Sequence, residues 1–204
     1  MKDYLKDYLA NGVTLFRILG GLALGFWLAL YPVNTFFQQI WILRFFLILV
    51  ITDFIDGWLV RSGFGEESNL GKILDPVADK LLFLIYLPLI GMGVISPLPI
   101  IILMARDILV DNLLRNYASS KGLVIKARPT GKVKTVIAFS LAGILLCRLP
   151  VSDMPMSGFD AGIISWIQSW PDLVVSGLIW SLIAIVIISG VDYFISNRQV
   201  LFED

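Results

Sequence analysis

The chain has 204 residues, 57% hydrophobic and only 16% charged, with a mean hydropathy of +0.84, which excludes an ordinary soluble domain and a disordered one. Its sixteen Lys and Arg balance sixteen Asp and Glu, there is no histidine, and Cys147 is the single cysteine, so imidazole-based triads, thiolate zinc clusters and an intramolecular disulfide are also excluded. What remains is one helical membrane domain over residues 1–204, in which Cys147 reads as a small buried hydrophobe.

Residues 1–12 lack the short apolar core and small-residue cleavage site of a secretory leader. Tyr4, Leu5, Tyr8 and Leu9 share a helical spacing opposite Lys2, Asp3, Lys6 and Asp7. That pattern suits a short helix lying in the membrane interface, and equally an exposed, frayed terminus. Six windows of about 20 residues are then apolar enough to cross a bilayer. They fall near 14–31, 39–60, 74–95, 98–118, 132–149 and 173–195. The expected fold is therefore all-α, a polytopic membrane protein with six transmembrane helices and a short N-terminal interfacial helix. Within the first window Gly21-x-x-x-Gly25 permits close helix packing. Between the fifth and sixth, Phe159, Ile163, Ile164, Trp166, Ile167 and Trp170 mark an interfacial amphipathic segment rather than a span.

Lys2, Lys6, Arg61, Lys72, Arg115, Lys121, Lys126, Arg128, Lys132, Lys134 and Arg198 fall at span ends that would share one side. Arg44 and Arg148, with Asp153, Asp160 and Asp172, fall on the other. The positive-inside rule makes the first side cytoplasmic, with both termini, in a bacterial-type inner or plasma membrane. Lys121, Lys126 and Arg128 suit anchoring to anionic headgroups.

Four aspartates interrupt this apolar chain. The run reads Asp53-x-x-Asp56-Gly57-x-x-Val60-Arg61, nine residues, then Gly71-x-x-x-Asp75-x-x-x-Asp79. Three- and four-residue separations put each pair on one helix face. Carboxylates in or near hydrocarbon are costly and normally pair, line a polar cavity or bind charge. Two such faces together present hard oxygen ligands of the kind Mg²⁺ or Mn²⁺ prefers. Gly57, Arg61, Gly71 and Lys72 add close backbone approach and positive charge, both suited to phosphate. A plain helix end would account for either pair alone, but not for four carboxylates at neighbouring span ends.

The whole pattern resembles the signature of the CDP-alcohol phosphotransferase family, with Val60 where the family carries alanine. The resemblance extends to the six-span architecture and spans nearly the whole chain. It implies transfer of a phospho-alcohol group from a CDP-linked donor to an acceptor hydroxyl, with release of CMP. It also implies two divalent ions (Mg²⁺ or Mn²⁺) on Asp53, Asp56, Asp75 and Asp79. Asp53, Asp56, Gly57, Arg61, Gly71 and Asp75 would hold the cytidine diphosphate donor, and Asp79 would be the general base. Three further stretches resemble the phosphatidylglycerophosphate synthase branch. They are Asn11-Gly12-Val13-Thr14-Leu15-Phe16-Arg17, departing at the usual proline, Leu74-Asp75-Pro76-Val77-Ala78-Asp79-Lys80, and Gly131-Lys132-Val133-Lys134-Thr135. Arg106-Asp107 stands where that branch has Arg-Glu. That branch uses CDP-diacylglycerol and glycerol 3-phosphate among membrane lipids, and a homodimer is the family expectation; no nucleic-acid partner is implied.

An acceptor carrying a phosphate needs a cationic pocket, for which Arg106, Arg115, Lys132, Lys134 and Arg17 are candidates. Arg106 lies inside an apolar window, where an unpaired cation is expensive, and a structural pair with Asp107 or Asp111 is its alternative role. Cardiolipin synthesis with phosphatidylglycerol as acceptor, and transfer to inositol phosphate or serine, share most of these features. A cation transporter is the alternative outside enzymes, but its acids would lie near the bilayer midplane between broken helices.

Overall fold

The computed structural model describes residues 2–61, 74, 77, 78, 80–110, 129–153 and 158–196, with 2–11, 53–61 and 129 described by backbone alone. Among the described residues every regular element is helical: α1 (Lys2–Leu30), α2 (Phe36–Arg61), α3 (Tyr86–Gly91, entered through a 3₁₀ turn at Phe83–Ile85), α4 (Pro97–Asp107), α5 (Pro129–Cys147), α6 (Phe159–Gln168) and α7 (Asp172–Ser196). Three stretches among them are long and apolar enough to cross a membrane, Gly12–Leu30, Thr130–Cys147 and Asp172–Ser196. The chain is an all-α membrane protein.

The other expected spans are met in part. Helix α2 covers the second window, and Phe36–Thr52 of it is apolar. The third contains a shorter apolar helix, Lys80–Gly91. The fourth is helical from Pro97, and its part beyond residue 110 lies outside the described residues. The separate interfacial helix expected over 1–12 is instead the first part of α1, which runs unbroken past Asn11-Gly12. One interior glycine costs only about 1 kcal/mol, too little to end a helix continued on both sides.

The chain divides into two compact units, Met1–Ile95 with Ala142–Gln168, and Ser96–Leu141 with Ser169–Asp204. In the first, α1 and α2 form an antiparallel hairpin. Thr35 and Gln38 cap α2 reciprocally: the Gln38 N–H donates to Thr35 Oγ1 at 3.2 Å, and the Asn34 and Thr35 N–H groups donate to Gln38 Oε1 at 3.0 and 3.2 Å. This capping box satisfies donors that a helix start otherwise leaves open. Small residues let α1 approach two neighbours. A Cβ on Gly20 would meet Leu49 Cδ2 at 2.6 Å, and one on Gly21 would meet Leu82 Cδ2 at 3.4 Å. Helix α3 closes on Gly93, whose φ of +73° suits glycine, with the Val94 N–H donating back to the Leu89 carbonyl.

Helix α6 is the expected amphipathic segment. Its Ala161 and Ile164 are buried with Phe36 and Cys147, while Phe159 and Trp166 are exposed. Arg44 of α2, lying over the Trp41 ring, donates from Nε to Asp160 Oδ2 at 2.9 Å. Arg44 and Asp160, assigned to one membrane face by charge distribution, are thus in contact. Gln39 of α2 is fully buried and donates through Nε2 to the carbonyls of Leu146 and Cys147, both at 2.8 Å.

In the second unit α4 packs on α7. Ser96 caps α4 by accepting from the Leu98 N–H at 3.3 Å, with Pro97 in the first turn, where its missing donor costs nothing.

Candidate active site

The first unit carries the aspartate end of α2. Gln39, Ile42, Phe46 and Leu49 form the inward row of this helix, none more than 5% exposed. Asp53 and Asp56 continue that alternating three- and four-residue spacing along the backbone of the same helix. Gly57 and Arg61 lie on the last turns of the same helix.

Contacts higher in the hairpin fix what stands beside them. Gly20 faces Leu49 and Phe45, and Leu24 and Trp27 share an apolar groove of about 510 Å³ with Phe37, Trp41 and Ile42. Arg17 and Thr14 lie N-terminal of Gly20 on α1, toward the same end of the antiparallel hairpin as residues 53–61 of α2. Arg17 is 1% exposed and Thr14 is buried. An arginine so placed in an apolar helix is costly unless its charge is used, and helix side chains lean toward the N-terminus, here toward the aspartate end. Arg17, a candidate for the acceptor phosphate, thus belongs to the hairpin that carries Asp53 and Asp56. Gly71, Asp75 and Asp79 lie outside the described residues, as does Arg115.

The second unit gathers the end of α4, the start of α5 and the end of α7. Asp107 Oδ1 accepts from Arg106 Nη1 at 3.1 Å and from Lys134 Nζ at 2.5 Å. The side chains of all three are nearly buried, Arg106 being the most exposed at 11%. The Gly131 and Gly190 backbones pass close to Arg106; a Cβ on them would lie 3.7 Å from its Nη2 and 3.5 Å from its Cγ. Thr130 Oγ1 donates to Asp192 Oδ2 at 3.2 Å, tying α5 to α7 beside this cluster. Of the predicted cations, Arg106 and Lys134 are thus brought together through one carboxylate, whereas Lys132 is exposed. Arg106 does pair with Asp107, its alternative structural role, but the pair is shared with a second cation.

Two participants were missed from the sequence. Asp192 carries a signal: it ends the uncharged run of α7 on the charged side. Thr14 carries none beyond its place in a short motif.

A protein-family model described as CDP-alcohol phosphatidyltransferase matches residues 7–188. A curated protein from Bacillus subtilis (strain 168), named CDP-diacylglycerol–glycerol-3-phosphate 3-phosphatidyltransferase, is 31% identical over 160 residues, covering 76% of this chain and 72% of the relative. A Rickettsia felis protein of the same name is 29% identical over 168 residues, 82% of this chain and 83% of the relative. A Cereibacter sphaeroides protein, again of that name, is 34% identical over 107 residues, 50% of this chain and 48% of the relative. The chain thus spans about half the length of the last of these and most of the other two.

Proposed function

Because the chain belongs to the CDP-alcohol phosphatidyltransferase family, a family of transferases, we propose that it transfers the phosphatidyl group of CDP-diacylglycerol to glycerol 3-phosphate. The observation that carries the acceptor choice is the pair of buried cations, Arg106 and Lys134, held on Asp107. A guanidinium and an ammonium at one point match a phosphate dianion and have no counterpart need in serine. The names of the relatives support the same substrates.

The donor belongs to the aspartate end. Asp53, Asp56, Asp75 and Asp79 would hold two divalent cations, Mg²⁺ or Mn²⁺, a fit supported by hard oxygen donors and by the place of Asp53 and Asp56 three residues apart on one helix. Such ions, when bound, supply charge neutralisation for a pyrophosphate and alignment for in-line displacement. Gly57 and Gly71 admit the cytidine diphosphate close to the backbone, and Arg61 adds positive charge. Arg17, on the other helix of the same hairpin, adds a second. Asp79 takes the proton from the acceptor hydroxyl, whose oxygen bonds to the phosphorus bearing the diacylglycerol. The bond from that phosphorus to the CMP oxygen breaks, and its electron pair leaves with CMP. Lys132 and Arg115 complete the approach of the acceptor phosphate.

The proposal includes six spans over a single 1–204 domain, cytoplasmic termini and active site, and a homodimer, from charge distribution and family resemblance. Its test is the purified protein with CDP-diacylglycerol and a panel of glycerol 3-phosphate, phosphatidylglycerol, inositol phosphate and serine, with products resolved by mass. Phosphatidylglycerophosphate and CMP are expected; exclusive use of another acceptor would overturn the assignment.

A further inference from the structure

The contact between Arg106 and Asp107 is unusual for neighbours on a helix. Adjacent residues point about 100° apart and do not ordinarily meet, so the pair contributes nothing regular to α4. The arginine stem folds back along the Gly190 backbone to bring Nη1 to the neighbouring carboxylate. Lys134 reaches the same oxygen from α5. One carboxylate oxygen thus ties a cation of α4 to a cation of α5.

Resting on the reading that the acceptor carries a phosphate, we infer that Asp107 is the positioning residue of the acceptor site. Its single Oδ1 sets the spacing and direction of Arg106 and Lys134, so that both address one phosphate. It does not touch the reacting atoms and takes no proton in the transfer.

The experiment compares Asp107→Asn and Asp107→Glu with the wild type in detergent or vesicles. Three constants are measured: KM for glycerol 3-phosphate, KM for CDP-diacylglycerol, and Ki for inorganic phosphate competing with the acceptor. The loss of a charge-assisted arrangement corresponds to roughly 10- to 100-fold. Asp107→Asn is expected to raise the acceptor KM and the phosphate Ki together by that factor, with the donor KM within about twofold. Asp107→Glu is expected to recover part of both. A fall in kcat or in folded yield with acceptor KM and phosphate Ki unchanged means a merely structural acid and overturns the inference. Should Asp107→Asn fail to fold, Asp107→Glu decides by the same constants: a parallel rise of severalfold supports the inference and no change removes it. A wild type that uses only a phosphate-free acceptor and is not competitively inhibited by phosphate overturns the proposed function itself, a result distinct from either.

Discussion

Gln39 of α2 closes the end of α5 by donating its side-chain amide to the Cys147 carbonyl at 2.8 Å, with a second bond of equal length to Leu146. The last carbonyls of a helix have no partners within it, and inside an apolar bundle no water replaces them. Gln39→Leu keeps the bulk but strands both. The expected loss is about 2–4 kcal/mol of stability, read as a lowered Tm in detergent, while KM values of the folded fraction stay unchanged. A Tm within error of the wild type would mean that the carbonyls find other donors.

Metal dependence follows from the acids. Activity is expected to vanish with a strong chelator and to return with Mg²⁺ or Mn²⁺, because oxygen-only ligands suit hard cations. Full turnover in a chelated preparation would remove the two-ion site.

The four aspartates are expected to fail differently. Asp53→Asn, Asp56→Asn and Asp75→Asn should weaken metal binding and with it donor binding, measured by titration calorimetry. Asp79→Asn should keep donor binding and lose about 10²-fold or more in kcat, the scale of a lost general base. Equal loss of metal binding in all four would make Asp79 a ligand first.

Arg106→Ala is expected to lower kcat/KM for glycerol 3-phosphate by roughly 30- to 1,000-fold, or about 2–4 kcal/mol, leaving CDP-lipid affinity nearly unchanged. Arg106→Lys should restore charge but only part of the activity, because the planar fork is lost. Loss of donor affinity instead would move Arg106 to the donor site.

Helices were legible in the sequence wherever apolar length was decisive, as in α7, whose uncharged run leaves no alternative. Charge distribution put Arg44 and Asp160 on one side without pairing them, and the aromatic-rich run 159–170 foretold α6. The N-terminal segment was read as separate because its charges set residues 2–9 apart from the apolar window, whereas the helix runs on through Asn11-Gly12. The pairing of Arg106 and Lys134 through Asp107 was not legible, since it joins residues 27 positions apart and depends on how α4 meets α5. Gln39 was passed over for a similar reason: one amide in an apolar run acquires meaning only from carbonyls 107 and 108 positions away.

Helix α1 acts as a depth gauge. Its 29 residues measure about 43 Å at 1.5 Å each, against a hydrocarbon slab of about 30 Å. Trp27 and Tyr31, in ring contact and exposed, suit the headgroup level at one end. Counting back about 20 residues from them reaches the opposite boundary near residues 8–11. Thr14 and Arg17 then lie about 5–9 Å and about 9–14 Å inside that boundary, on a helix that is continuous from Lys2 to Leu30. Lipid phosphates lie outside that boundary, so a guanidinium carried at Arg17 comes nearer to them only as far as its stem leans toward the helix N-terminus.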